Sequence, residues 1–151
     1  METKQYIRVD AEKKRLQGSF RGFVKLKHNN KTIRRLLGVD AFTVREWIES
    51  NFIEGMNWDN YGKTWVIDHI VPLRMFDVFS EEDLLICWHY KNLMPLFKKD
   101  NEKKSGNVFF SFEILSELKD KDIFFRQLYD RVKPEVEWML SYIKVYHKKY
   151  Q

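Results

Sequence analysis

The sequence predicts a small α+β fold, with two short strands and a short helix set among helices from both ends. Three observations carry that reading. Apolar residues recur at helical spacing near both ends, as in Ala41, Val44, Trp47 and Ile48 and again in Val136, Met139, Leu140, Ile143 and Tyr146. Trp65-Val66-Ile67 is β-branched or aromatic and bounded by turn formers, which predicts a strand. Asn92-Leu93-Met94-Pro95-Leu96 predicts a second strand, whose proline implies an edge position or a strand end.

The elements follow in order. Residues 1–36 read as mostly helical, with breaks near Gly18–Gly22 and at His28-Asn29-Asn30. The run from Thr32 to Leu37 stops at Gly38, a residue suited to the left-handed end of a helix. Asp40 is placed to cap a helix reaching about Phe52. Residues 53–63, rich in Gly, Asn and aromatics, predict a loop before the first strand. Ser80-Glu81-Glu82-Asp83 predicts a serine-capped helix with an acidic first turn, running to Cys87. A short helical turn is expected over Asp100–Lys104, stopped by Ser105-Gly106. Beyond it the chain reads as helical, with Pro134 in the first turn of a last helix.

At 151 residues, 44% hydrophobic and 32% charged, the chain has one ordinary domain's length and surface enough for a core. It is read as a single domain, 1–151, with sections 1–36, 37–106 and 107–151. One cysteine, Cys87, excludes an intramolecular disulfide and a multi-cysteine zinc cage. There is no apolar signal core and no run of roughly 20 apolar residues. The expectation is a soluble intracellular domain with no membrane partner, not secreted, at home in the cytoplasm of a bacterial or phage-infected cell.

The net charge of +5 is unevenly spread. Residues 1–36 carry eleven Lys/Arg against three Asp/Glu, net +8, whereas 37–106 are net −4 and 107–151 net +1. A basic section beside an acidic one predicts a polyanion grip next to a carboxylate-bearing site. Arg15, Arg21, Arg34 and Arg35 are the expected nucleic-acid contacts of the first section, and Lys98, Lys99, Lys103 and Lys104 form a competing basic set.

Strand, Asp68-His69, strand, then a short helix with Asn101 and Lys104 makes a β–β–α order with polar groups at its joints. Hydrolysing a phosphodiester needs a group that takes a proton from water near neutral pH, which suits His69. It also needs a hard divalent cation against the phosphate charge, and the oxygens of Asp68 and Asn101 suit magnesium. Neighbours in a regular strand face opposite ways, so Asp68 and His69 share a phosphate only where the strand ends or bulges.

The runs Trp65-Val66-Ile67-Asp68-His69-Ile70-Val71-Pro72, Cys87-Trp88-His89-Tyr90-Lys91-Asn92-Leu93-Met94-Pro95-Leu96 and Asn101-Glu102-Lys103-Lys104 together resemble an HNH endonuclease of the ββα-metal group. Gly55-Met56-Asn57-Trp58-Asp59-Asn60-Tyr61-Gly62 is similar to the lead-in of a phage-type branch, and the likeness covers roughly 37–106. It implies a ββα-metal hairpin and helix as the core of the fold. It implies Asp68 and Asn101 as metal ligands, His69 as general base, and Asn92 as a brace between the strands. Lys104 would lie near the scissile phosphate. The implied ion is Mg²⁺, with Mn²⁺ a substitute, and the products carry 5′-phosphate and 3′-hydroxyl ends. Asparagine at 101 favours an oxygen-preferring ion over zinc, and a single cysteine cannot hold the structural zinc of many relatives.

His89, between Trp88 and Tyr90, reads as a core or supporting residue. Gly62-Lys63-Thr64 mimics the tail of a phosphate-binding loop, but Asn57 stands where that motif needs glycine. Phe109, Phe110, Phe124, Phe125, Trp138 and Tyr142 read as core rather than base-stacking surface. The alternative function is a basic nucleic-acid-binding protein that keeps this shape without cleaving. One active centre cuts one strand, so a double-strand break would take a homodimer or two events.

Overall fold

A computed structural model of the chain describes residues 2–104 and 106–150. They form an α+β arrangement of seven α-helices and one two-stranded antiparallel sheet among the described residues. The chain divides into two compact units, Met1–Lys103 and Lys104–Gln151. No helix among the described residues is long and apolar enough to cross a membrane.

In the first unit, α1 (Glu2–Val24) is continuous where the sequence predicted a break near Gly18–Gly22. Its Leu16, Phe20, Phe23 and Val24 are buried, and that packing outweighs the roughly 1 kcal/mol each glycine costs a helix. The chain does break at His28-Asn29-Asn30, after Leu26 takes a left-handed conformation at φ 61°. α2 (Lys31–Leu37) starts under an Asn30 side-chain cap and ends at Gly38, whose φ of 79° a side chain rarely adopts. α3 (Ala41–Ser50) starts at Asp40, whose Oδ1 accepts the Thr43 N–H at 2.8 Å. It stops two residues short of the expected Phe52.

A 3₁₀ turn at Trp58–Asn60, with reciprocal caps between Asn57 and Asn60, organises the expected loop. It presents four rings to one another: Phe52, Trp58 and Tyr61 all pack around the fully buried Trp65, at centroid distances of 4.9, 5.3 and 4.8 Å. The Trp65 indole N–H is shared between Asn57 O and Asn60 Oδ1. This anchors the start of β1 (Trp65–His69), which pairs with β2 (Leu93–Phe97) from Trp65↔Phe97 to His69↔Leu93. Pro95 lies opposite Ile67, and its missing N–H is tolerated because each strand of a two-stranded sheet has a bare edge. α4 (Glu81–Cys87) begins at a Ser80 cap, as its acidic first turn predicts. α5 (Lys98–Lys104) follows β2 with no intervening loop and starts two residues before the expected Asp100.

The second unit is a helical hairpin of α6 (Val108–Leu118) and α7 (Ile123–Tyr150). Phe112 and Tyr129 stack across it at 5.3 Å, and Val108, Leu115, Leu128, Val132 and Val136 are buried. Pro134 does not begin a helix. It sits inside α7, on an exposed position, and the buried residues on either side carry the helix through it. Trp138 and Tyr142 also depart from expectation: they stack on each other at 6.0 Å and are 66% and 60% exposed. They share the outward face of α7, whereas Val132 and Val136 take the inward one. Ser105 and the Tyr146 side chain lie outside the described residues.

Candidate functional site

Two of the polar residues singled out in the sequence, Asp68 and His69, end β1, and a third, Asn92, is hydrogen-bonded to the segment that leaves it. The strand stops at His69, in its last register pair with Leu93. Immediately before it, Asp68 Oδ1 accepts the His69 backbone N–H at 2.8 Å, so the carboxylate is folded back over the strand end. Asp68 is half-buried.

His69 is only 6% exposed. Its ring meets the indole of Trp88 edge to face, with centroids 4.6 Å apart and planes at 83°. Trp88 is buried, touches Phe20 of α1 at 5.4 Å, and has an indole N–H with no hydrogen-bond partner among the described residues. The imidazole is therefore set by packing against a rigid wall as much as by hydrogen bonding. The sequence did not single out Trp88 as the partner of His69. Its signal is its position, as the residue that ends α4 four places before Asn92.

Asn92 is fully buried and precedes β2 directly. Its backbone carbonyl accepts the Ile70 N–H at 2.7 Å, and its Oδ1 accepts the Val71 N–H at 2.9 Å. Its Nδ2 donates to Cys87 O at 2.8 Å. One side chain thus ties the segment leaving β1 to the end of α4. Val71 and Pro72 are both buried, and the chain turns away there, which ends the strand next to His69.

Asn101 lies in the first turn of α5, half-buried, and its amide makes no hydrogen bond to any described residue. Lys104 closes α5 and begins the second unit. It is buried, with its ammonium 5.6 Å from the centre of the Phe110 ring. Among the described residues no group of three or more His, Cys, Asp and Glu side chains converges as a metal site. The hard donors singled out in the sequence are the Asp68 carboxylate at the strand end and the Asn101 amide on α5. His89 is half-buried, stacks on Tyr90 at 4.9 Å and accepts the Lys91 N–H on Nδ1.

The predicted DNA contacts divide into two kinds. Arg15 is held by Glu12 through two hydrogen bonds of 3.0 and 2.6 Å, and its guanidinium holds the Glu12 carboxyl below the usual range. Arg35 is paired with Glu81 of α4. Arg21, Arg34, Lys98, Lys99 and Lys103 are exposed and are in no ion pair among the described residues.

Two curated proteins are similar to part of this chain. Uncharacterized protein L426 of Acanthamoeba polyphaga mimivirus is 37% identical over 79 residues, which is 52% of this chain and 35% of the viral protein. Uncharacterized protein L246 of the same virus is 38% identical over 73 residues, 48% of this chain and 32% of its own length. The chain thus spans about one third of the length of the curated relatives it matches. No family model and no solved structure matches it.

Proposed function

We propose that this chain is a metal-dependent DNA endonuclease of the HNH type, hydrolysing phosphodiester bonds with a histidine-activated water. The observation that carries the reading is the junction at His69: a carboxylate and an imidazole on adjacent residues at a strand end, braced by a buried asparagine. Adjacent residues of a regular strand face apart, and Asp68 and His69 are the last two residues of β1, so the reading requires the phosphate to be met at the strand end.

In this reading His69 takes a proton from the attacking water, whose oxygen bonds to phosphorus as the bond to the 3′ oxygen breaks, and that oxygen takes a proton from solvent, leaving 5′-phosphate and 3′-hydroxyl ends. Asp68 and Asn101 supply oxygen donors, a set that suits Mg²⁺ or Mn²⁺ and leaves positions for water and phosphate. The bound ion would neutralise charge on the phosphate and the leaving oxygen. Asn92 keeps the strand end and α4 in register, which fixes the His69 backbone, while Trp88 fixes its ring. Exposed lysines and arginines grip the DNA backbone irrespective of sequence.

A second reading is favoured by one feature, the 6% exposure of His69. A histidine buried against tryptophan is also what a non-cleaving nucleic-acid-binding module would keep for packing. Incubating the purified protein with supercoiled plasmid, with and without Mg²⁺, separates the two. Metal-dependent open circles mean nicking, linear product means paired cuts, and unchanged plasmid with retained binding means the non-cleaving module.

A further inference from the structure

We propose that the exposed cations at the far end of the β1–β2 hairpin, Arg21, Lys25, Lys63 and Lys98, form one docking surface for the sugar-phosphate backbone of DNA. The inference rests on the nuclease reading and adds where the substrate lies. Four elements meet at that end. The Trp65↔Phe97 pair closes the sheet there, and Gly62 N–H donates to Trp65 O at 2.8 Å, folding the Gly62–Thr64 turn onto it. Lys98, first residue of α5, donates its backbone N–H to Thr64 O at 3.1 Å, which sets Lys98 beside Lys63. The C-terminal end of α1 reaches the same place, with the Lys25 ammonium 5.6 Å from the centre of the Tyr61 ring. Arg21 stands one helical turn before Lys25, whose N–H donates to its carbonyl at 3.1 Å, and its charge acts against the rise that burial gives the Tyr61 hydroxyl pKa.

The ring under Lys25 is itself fixed. Tyr61 packs on Trp65 and Trp58, and the Arg45 guanidinium lies 3.8 Å over Trp58 while donating to Val24 O at 2.8 Å. An ammonium held over an aromatic ring keeps its charge and loses little freedom when a phosphate arrives. All four cations are exposed, and among the described residues none is in an ion pair. Among the carboxylates of these elements, Glu49 is engaged by the Trp58 indole N–H, Glu54 and Asp59 are exposed on the loop, and Asp100 follows Lys98 on α5. By contrast Arg15 and Arg35, the arginines an unaided reading of the basic section would favour, already face carboxylates.

The candidate centre lies at the other end of the same strand. Trp65 to His69 is four strand steps, about 13 Å at roughly 3.3 Å each. Four base-pair steps of duplex span about as much, at 3.4 Å per step along one strand. A duplex laid along the hairpin would cover the span from Lys98 to His69 in about four base pairs of axial rise.

The test is binding of a fluorescent DNA duplex across a salt series, followed by anisotropy in EDTA so that no cleavage intervenes. The triple variant Lys25→Gln/Lys63→Gln/Lys98→Gln should flatten the slope of log K against log salt by about 0.9 per lost contact, two to three in total. Lys25→Arg/Lys63→Arg/Lys98→Arg should keep the wild-type slope, and Arg15→Gln/Arg35→Gln should change it by less than one. A triple glutamine variant with the wild-type slope and an unchanged circular dichroism spectrum overturns the proposal, as does an equal or larger loss in the arginine pair. Plasmid nicking by the wild type, scored separately in Mg²⁺, reports on the nuclease reading alone. Nicking with an unmoved salt slope removes only the docking surface. Salt-sensitive binding without nicking removes only the enzyme.

Discussion

The Asn92 side chain accepts the Val71 N–H at 2.9 Å, so a single buried amide closes the segment that leaves β1. The same amide donates to Cys87 O. Asn92→Ala would orphan a buried donor and a buried acceptor, at about 1–3 kcal/mol each. Urea unfolding should show a loss of that size with an unchanged m-value. Asn92→Asp should also destabilise, because an oxygen would then face the Cys87 carbonyl. A loss below about 0.5 kcal/mol in the alanine variant would show that this brace carries no weight.

Gly38 ends α2 at φ 79°, with only His89 Cδ2 near the place of a Cβ, at 4.0 Å. Space is therefore not the constraint, and backbone conformation is. Gly38→Ala should cost about 1–2 kcal/mol, the penalty of a left-handed L-residue. A lower melting temperature with the same spectrum is the expected outcome. A higher one would mean that the helix end rearranges at no cost.

Asp40 caps α3, and the Thr43 N–H holds its carboxyl below the usual aspartate range. A carboxyl whose folded pKa is depressed adds stability that is present above its unfolded pKa. That stability is lost as pH falls through the folded pKa. Asp40→Asn keeps a capping oxygen without a titratable group. Wild type should be the more acid-sensitive of the two between pH 5 and pH 2, read by urea unfolding at each pH. Parallel curves would show that the cap is not charged.

Asp68→Ala and Asn101→Ala should both weaken Mg²⁺ binding, Asp68 more, because it removes a full charge from the ion's surroundings. Isothermal calorimetry measures this without reference to cleavage. Excess Mg²⁺ or added Mn²⁺ should restore the asparagine variant more than the aspartate one. Unchanged affinity in both variants would remove these residues from any metal site.

Local signals in the sequence were read correctly where a residue acts on its own neighbours. Asp40 and Ser80 cap the helices that follow them, and Gly38 ends α2, because caps depend on a few adjacent atoms. Signals that compete with packing were misread. Gly18 and Gly22 stay inside α1 and Pro134 inside α7, since buried faces supply what propensity withholds. At the candidate site, Asp68, His69 and Asn92 were named from the sequence as residue types, and the structure puts His69 in the last register pair of β1 with the Asn92 carbonyl accepting the Ile70 N–H beside it. The Trp88 wall was not legible, because its contact with His69 joins residues 19 apart that share no short motif. Nor was the commitment of Arg15 and Arg35 to carboxylates, one of which comes from α4.

The central claim is that His69 activates water for phosphodiester cleavage, and one plasmid assay tests it most directly. Wild type and His69→Ala are compared at saturating Mg²⁺ on supercoiled DNA, with circular dichroism and EDTA-phase DNA binding as controls. The account predicts metal-dependent conversion by wild type, and a rate lower by about 10²–10⁴ in the variant, with fold and DNA affinity nearly unchanged. Near-normal conversion by a folded His69→Ala protein, or wild-type conversion that persists in EDTA, would contradict it.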